Sequence, residues 1–410
     1  MKNKRLWMFE IFRGFAAILV SLAVAAVFIF ITSDKPWEAL RYLLISPLVS
    51  FRTGSSSFNL TSFYTILAAM IPTIFTGLGV CVMFSANEFN LGGEGGVMLG
   101  GFVGTLSGIY FVTGTGFDAV LAVLIAGLVC GIVMLIPALG KVKLGASEMV
   151  SSLMLNYVIL FVILHFLSSI FADRSKGSLM TYPVSPTSKI PDLVSGNSHL
   201  TWGFVIALVF TVLVTLFMFR TKWGYQIRMI GINKDFAKYS GMKVGAIVVL
   251  SQVIGGILSG FGGAIEVLGR FTTFSWLDLP GYGWEGITIA ILAKNNPAFV
   301  PLAAFFIAYL NKGCQLMSTY CDVPSEMIDI IQAVIFLFFA AEHFLARYRQ
   351  KLVVKTIPLI WYFMSGWLSD YAYHISLSVW IYLTAFVFCL IISFLTVFWQ
   401  ALRAARTNPP

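Results

Sequence analysis

The sequence predicts an all-α, polytopic integral membrane protein with about ten transmembrane helices and one further span near the C-terminus. Three observations predict it. Hydrophobic residues make up 58% of the 410 positions and charged residues 11%, with a mean hydropathy of +0.88. A soluble domain is about 25% charged, so a chain this apolar cannot clothe a water-facing surface. Apolar runs close to the roughly 20 residues that span a hydrocarbon core recur along the chain. Basic residues then collect between alternate runs, as expected of cytoplasmic loops. Helices are expected because lipid offers the backbone no hydrogen-bond partners, and the short alternating segments of a barrel are missing from the sequence.

The runs are Ile11–Thr32, Thr61–Phe84, Ala119–Leu139, Met149–Ile170, Trp202–Phe219, Ala246–Leu268, Ala298–Leu310, Met327–Ala341 and Ser378–Phe398. Leu91–Val112 is a weaker, glycine-rich span. Gly283–Ala293 is too short to cross and reads as a half-helix or tilted partner. Lys2, Lys4 and Arg5 place the N-terminus inside. The first run exceeds a signal-peptide core and lacks a small-residue cleavage site after it, so it reads as a retained helix. The loop from Arg220 to Val244 carries Arg220, Lys222, Arg228, Lys234, Lys238 and Lys243 against the single acid Asp235. That puts it on the same side as the N-terminus. Arg347, Arg349, Lys351 and Lys355 also fall inside.

The net charge of +9 is explained by these loops and is no sign of nucleic-acid binding. Cys81, Cys130, Cys314, Cys321 and Cys389 form no CxxC pair and have no histidine at ligand spacing, so they read as small buried hydrophobes and no metal site is expected. No catalytic constellation is evident. A nucleotide loop would need a Gly-Lys-Ser/Thr ending, but Gly140-Lys141 is followed by Val142. Any ATP is therefore expected on a partner subunit, and the chain itself needs no cofactor.

Four sets of residues could carry function. Asn90-Leu-Gly-Gly-Glu-Gly-Gly96, followed by Gly100, Gly101 and Gly104, has the small-residue spacing that lets helix backbones approach. Glu94 stands where an apolar helix begins, facing either a cavity or partner, or solvent at an interfacial turn. Glu148, Ser152 and Asn156 recur every four residues on one helix face, either as interhelical glue or as a lining of the translocation path. Within Gly224–Met242, Asn233 is a fitting N-cap, Asp235 suits the first turn and Gly241 is a fitting stop. A short cytoplasmic helix over about 234–240 is expected there, serving either as an ordinary basic loop or as a docking element. Gln252, Glu266, Glu285, Gln315, Glu326, Asp329 and Gln332, with Trp276, Tyr282 and Trp284 among nearby aromatics, are the last set. Most of these aromatics suit an interfacial belt, and one or two could stack on a ring-bearing solute.

Several of these segments resemble one known family. Asn90-Leu-Gly-Gly-Glu-Gly, preceded by Phe89, resembles the FNIGxEGQ signature of permease subunits of ABC importers of the simple-sugar and nucleoside branch, related to branched-chain amino acid permeases. Glu148-Met-Val-Ser-Ser-Leu-Met-Leu-Asn-Tyr157 resembles that branch's EVISTLMLNY segment. Gly224–Met242 resembles its coupling segment, with Lys234 in place of proline and Phe236-Ala237-Lys238 in place of an Ala-Ala-Arg run. The stretches from Gly283 to Pro297 and from Asp322 to Ala341 follow in order, so the resemblance covers residues 5–355. The departure at Gly96, where glutamine is usual, bears on substrate preference.

The resemblance implies a permease domain over residues 1–355 in a prokaryotic plasma (inner) membrane. It would pair with a second permease subunit, usually a related but different chain. It would also work with a cytoplasmic ABC ATPase and an extracytoplasmic substrate-binding protein, importing nucleosides or related sugar-type solutes. From their residue types and spacing, Glu94, Glu148, Ser152, Asn156, Trp284 and Glu285 are expected as substrate-pathway residues. The resemblance implies Arg228, Gly231, Asn233, Ala237, Lys238 and Gly241 as ATPase-coupling residues. Branched-chain amino acids or another small solute are the alternative cargo, and a secondary transporter is the alternative class. Residues 356–410, with Pro358-Leu-Ile-Trp361, Trp367 and Gln400-Ala-Leu-Arg-Ala-Ala-Arg-Thr-Asn-Pro409, instead resemble the C-terminal end of an FtsX-like permease of macrolide-exporter type, which implies a fused fragment.

Overall fold

The structure, a computed structural model, describes residues 22–24, 26–27, 29–30, 33, 35–50, 57–114, 116–194, 199–321 and 333. All of them fall within the first of two units of the chain, Met1–Glu342. Most of the expected first span, nearly all of Met327–Ala341, and the whole of 356–410 with its span Ser378–Phe398 lie outside the described residues.

Apart from loops and isolated bridges, the described residues are helical except for a ribbon in which β1 (Val49–Ser50) pairs antiparallel with β2 (Ser57–Phe58). The helices are α1 (Pro36–Leu44), α2 (Leu60–Ser85), α3 (Gly93–Tyr110), α4 (Asp118–Val133), α5 (Leu135–Leu144), α6 (Glu148–Phe166), α7 (Gly203–Arg220), α8 (Lys222–Ile232), α9 (Lys234–Tyr239), α10 (Val244–Arg270), α11 (Tyr282–Leu292) and α12 (Val300–Tyr320). Among the described residues, six helical segments are long and apolar enough to cross a membrane: Leu60–Ser85, Asp118–Leu144, Glu148–Phe171, Gly203–Arg220, Val244–Arg270 and Pro297–Tyr320. The chain is thus a multi-pass membrane protein. Asp118–Leu144 is α4 and α5 joined at Met134, and α6 ends in a π-turn, Leu167–Phe171.

The centre is α2, α3 and α10. These helices are apolar on all sides and bury most of their residues, as a helix in a bundle interior must. In contrast, α6 and α7 turn Met154, Phe161, Val209 and Val212 outward, where lipid solvates them at no cost. The α3–α10 contact is made possible by glycine. Gly96, Gly100 and Gly104 on α3 meet Ser259, Gly260 and Ala264 on α10, and a Cβ at Gly100 would collide with the Gly260 backbone. A Cβ at Gly263 would fall inside the Val97 carbonyl oxygen. The small-residue spacing seen in the sequence therefore sets the helix separation.

Two helices begin partway through this layer. Gly93 and Gly96 of α3 face Ser259, near the midpoint of α10. Gly283 of α11 faces Glu94, and Gly286 faces Thr76 in the middle of α2. With 11 residues α11 is only about 16 Å long, roughly half a hydrocarbon core, which is the half-helix expected over 283–293. The loop between α6 and α7 pairs with the chain entering α11, through Val184 N–H to the Thr272 carbonyl (2.8 Å) and Phe274 N–H to Thr181 Oγ1 (3.0 Å).

Overpacking such a contact costs about 1–3 kcal/mol. Gly263→Ala is therefore expected to lower the melting temperature of the detergent-solubilised chain, whereas Gly177→Ala, which meets nothing nearby, should leave it unchanged. Equal melting temperatures for the two variants would contradict this packing.

Candidate functional site

The N–H groups of Ala86, Asn87 and Glu88 bond back to Met83 and Phe84 at the end of α2, and the chain then runs from Phe89 to Gly92 without helical hydrogen bonds. Inside a bilayer each bare N–H and C=O must find a partner within the protein. The polar stripe on α6 supplies them. Glu148 Oε1 accepts from Phe89 N–H (3.3 Å), Ser152 Oγ from Leu91 N–H (2.9 Å) and Asn156 Oδ1 from Gly95 N–H (3.0 Å). Asn156 Nδ2 returns a bond to the Leu91 carbonyl (3.0 Å). Side chains one helical turn apart thus grip alternate points of the descending segment. On its other flank, Asn90 donates to Gln252 Oε1 of α10 (2.8 Å) and accepts from Gly92 N–H (2.7 Å). Ser152 and Asn156 are fully buried. Of the two roles open for this stripe, the geometry favours holding the segment over contacting a solute.

At the start of the segment, beside the end of α2, one cation joins two acids. Lys141 Nζ lies 2.7 Å from both Glu88 Oε2 and Glu148 Oε1. Burial holds the Glu88 carboxyl above its ordinary range, with Lys141 pulling the other way. The bridge ties the turn after α2 to α5 and α6. In the sequence Lys141 stands out only beside Gly140 as an incomplete nucleotide loop, because nothing local reveals that Glu88 and Glu148 converge on it.

Glu94 is 1% exposed and caps another helix. Its Oε1 accepts from Gly281 N–H, and its Oε2 from Gly283 N–H (2.6 Å) and Trp284 N–H (3.2 Å). These are the unpaired donors at the start of α11. The carboxylate also stands in the first turn of α3, so it sits at the positive ends of two helix dipoles. Of the two settings open for Glu94, it meets partners within the protein and not solvent. Gly281 has φ +87° and Gly283 lies directly against the Glu94 backbone; a side chain at Gly283 would push α3 and α11 apart. Thr76 Oγ1 completes the junction by donating to the Tyr282 carbonyl (2.9 Å). Of the other two expected pathway residues, Trp284 is half-exposed and Glu285 accepts from Asn311 Nδ2 of α12 (2.7 Å).

The expected short helix forms as α9. Asn233 Oδ1 caps it by accepting from Phe236 N–H (2.9 Å), and Gly241 leaves it at φ +80°. The six expected coupling residues divide. Ala237 is fully buried, Gly231 packs against the Ser85 carbonyl at the end of α2, and the Arg228 guanidinium lies 4.9 Å from the Phe219 ring centre. These three hold α8 and α9 against the bundle. Asn233, Lys238 and Gly241 are exposed. Beside them stand Ile232, Phe236 and Tyr239, the last 91% exposed. Sequence reasoning passed over these three. The signal was Phe236 and Tyr239 at i,i+3, with Ile232 just before the cap, within an otherwise basic segment. Among the described residues there is no cluster of His, Cys, Asp and Glu able to hold a metal.

Comparison with known proteins finds transport permeases. A family described as branched-chain amino acid transport system / permease component matches residues 62–340. The chain is 29% identical over 286 residues to a guanosine ABC transporter permease protein of Bacillus subtilis, covering 69% of this chain and 82% of that protein. It is 28% identical over 349 residues to a glucose ABC transporter permease protein of Haloferax volcanii, covering 81% and 87%. It is 27% identical over 340 residues to a nucleoside ABC transporter permease protein of Lactococcus lactis, covering 80% and 89%. No solved structure matches the chain.

Leaving a buried backbone group unpaired costs about 1–3 kcal/mol. Asn156→Leu strips partners from Gly95 N–H and the Leu91 carbonyl, and Glu94→Gln replaces an acceptor facing N–H groups with a donor. Both variants are expected to melt earlier than wild type in detergent. Loss of solute uptake with an unchanged melting temperature would instead make these residues solute ligands.

Proposed function

The chain belongs to the branched-chain amino acid transport system / permease component family, and from that premise we propose that it is the membrane permease subunit of an ATP-driven ABC importer for nucleosides or related sugar-type solutes. The observation that carries the coupling part of this reading is the capped, exposed helix α9, which directly follows α8, itself packed through Gly231 onto the end of α2. A soluble ATPase docking on Ile232, Phe236 and Tyr239 pushes on Ser85 and Ala86, and so on the segment whose far end carries Glu94. Force applied at the inner surface thereby reaches the start of α11 through hydrogen bonds already in place. Of the expected coupling residues, Asn233, Lys238 and Gly241 belong to the docking surface, and Arg228, Gly231 and Ala237 brace it.

The loop holding α9 carries six basic residues and one acid. This supports a cytoplasmic placement for it and for the N-terminus. With the runs outside the described residues, the membrane domain comes to about ten spans. ATP is bound by the partner subunit. A second, related permease chain completes the pathway as a heterodimer, and an extracytoplasmic binding protein delivers the solute. Glu94, Glu148, Ser152 and Asn156 serve the pathway by fixing its broken helices, while Trp284 and Glu285 stand closer to the solute. The cargo reading draws on the relatives, whose named substrates are guanosine, glucose and nucleosides; a sugar unit is common to all of them. The family description favours branched-chain amino acids as the second reading.

Uptake of labelled guanosine by cells carrying this chain and its partner genes tests the proposal. Deleting the neighbouring ATPase gene should abolish uptake. Phe236→Asp with Tyr239→Asp should reduce it about tenfold or more, as loss of central docking contacts does, with the chain still present in the membrane. Uptake that survives without the ATPase would make this a secondary transporter, and uptake of leucine in place of guanosine would restore the amino acid reading.

A further inference from the structure

Between the outer parts of α2, α10 and α12 and the first turn of α11 lies a cavity of about 150 Å³. Its polar lining is Thr65, Arg270, Tyr282, Glu285, Asn311, Lys312 and Gln315 on walls of Ile66, Ala69 and Ala308. Such a concentration of charge in an otherwise apolar bundle is costly unless it faces water or a solute. Part of it is internally balanced. Glu266, 2% exposed, receives Arg270 (3.2 Å) and the Tyr282 hydroxyl (3.3 Å), and Glu285 receives Asn311 (2.7 Å). Lys312 is half-buried, and its ammonium meets no acceptor among the described residues.

We propose that this cavity is a subsite for the vicinal hydroxyls of a sugar, with Lys312 and the amides of Asn311 and Gln315 as the recognising groups. Hydroxyls both donate and accept, and the lining offers both: N–H groups from Lys312, Asn311 and Gln315, and oxygens from Gln315, Thr65 and Glu285. An anionic solute would meet the Glu285 carboxylate. An amino acid's ammonium would have to compete with Asn311 for that same carboxylate. Full small-molecule sites occupy roughly 300–1,000 Å³, so this one takes the sugar unit and leaves a base outside. Tyr282 and Glu285 lie on the turn whose N–H groups Glu94 holds, so the subsite is fixed at its floor by the same junction that receives force from α9. The cargo class rests on the importer reading; the cavity's chemistry does not.

The test uses the full chain purified with its partner subunits and follows thermal unfolding with ribose, 2-deoxyribose or leucine as probes. A ligand that binds the folded state raises the melting temperature. Ribose should raise it, 2-deoxyribose should raise it less, and leucine should not. Lys312→Met should lose the ribose shift, and Lys312→Arg should recover part of it. No shift with ribose, an undiminished shift in Lys312→Met, or a leucine shift equal to that of ribose overturns the assignment. If guanosine uptake depends on the ATPase while the ribose shift ignores Lys312, the cavity assignment falls and the importer reading stands. If guanosine uptake survives loss of the ATPase, the importer reading itself falls.

Discussion

Backbone polar groups cannot be left bare at membrane depth, and this chain leaves two helix starts there. The first N–H groups of α11 and the non-helical approach to α3 would each lose several kcal/mol in hydrocarbon without partners. Glu94 answers the first need, and the α6 stripe of Glu148, Ser152 and Asn156 answers the second. The glycines follow from these two facts. Gly283 must lie against Glu94, and Gly100 and Gly263 must let α3 and α10 touch, or the carboxylate and amides do not reach. The buried charge of Glu94 is tolerated because three N–H groups and two helix dipoles surround it.

That solution also makes a continuous mechanical element. From α9 the contact passes through Gly231 to Ser85, along the turn held by the Glu88–Lys141–Glu148 bridge, to Asn90 and Glu94, and then into α11. Each link is a hydrogen bond, an ion pair or a backbone contact. In this chain the path ends on the turn that floors the cavity.

The long apolar helices and α9 were legible because their signals are local. Span length and charge placement need no tertiary contact, and a cap such as Asn233 acts over three residues. The partners of Glu94 lie 187 residues or more away in sequence, so its environment could be posed as a question but not answered. The run expected to end at Leu310 continues as α12 to Tyr320. Hydropathy stopped at Asn311 and Lys312, the residues that face the cavity; the mark of function was also what cut the expected span short. The polar stripe on α6 was found by its spacing. Its target was not, because a stripe looks the same whether it binds a solute or a backbone.

The claim that these contacts act as one element is tested most directly by hydrogen exchange at the amides of residues 281–284 in the full-length protein. Asn156 touches none of them, yet it anchors the segment that presents Glu94. The account predicts that Asn156→Leu accelerates exchange at 281–284 together with 89–95. Faster exchange at 89–95 with 281–284 still protected would show that the α6 clamp and the α11 cap are independent, and would contradict it.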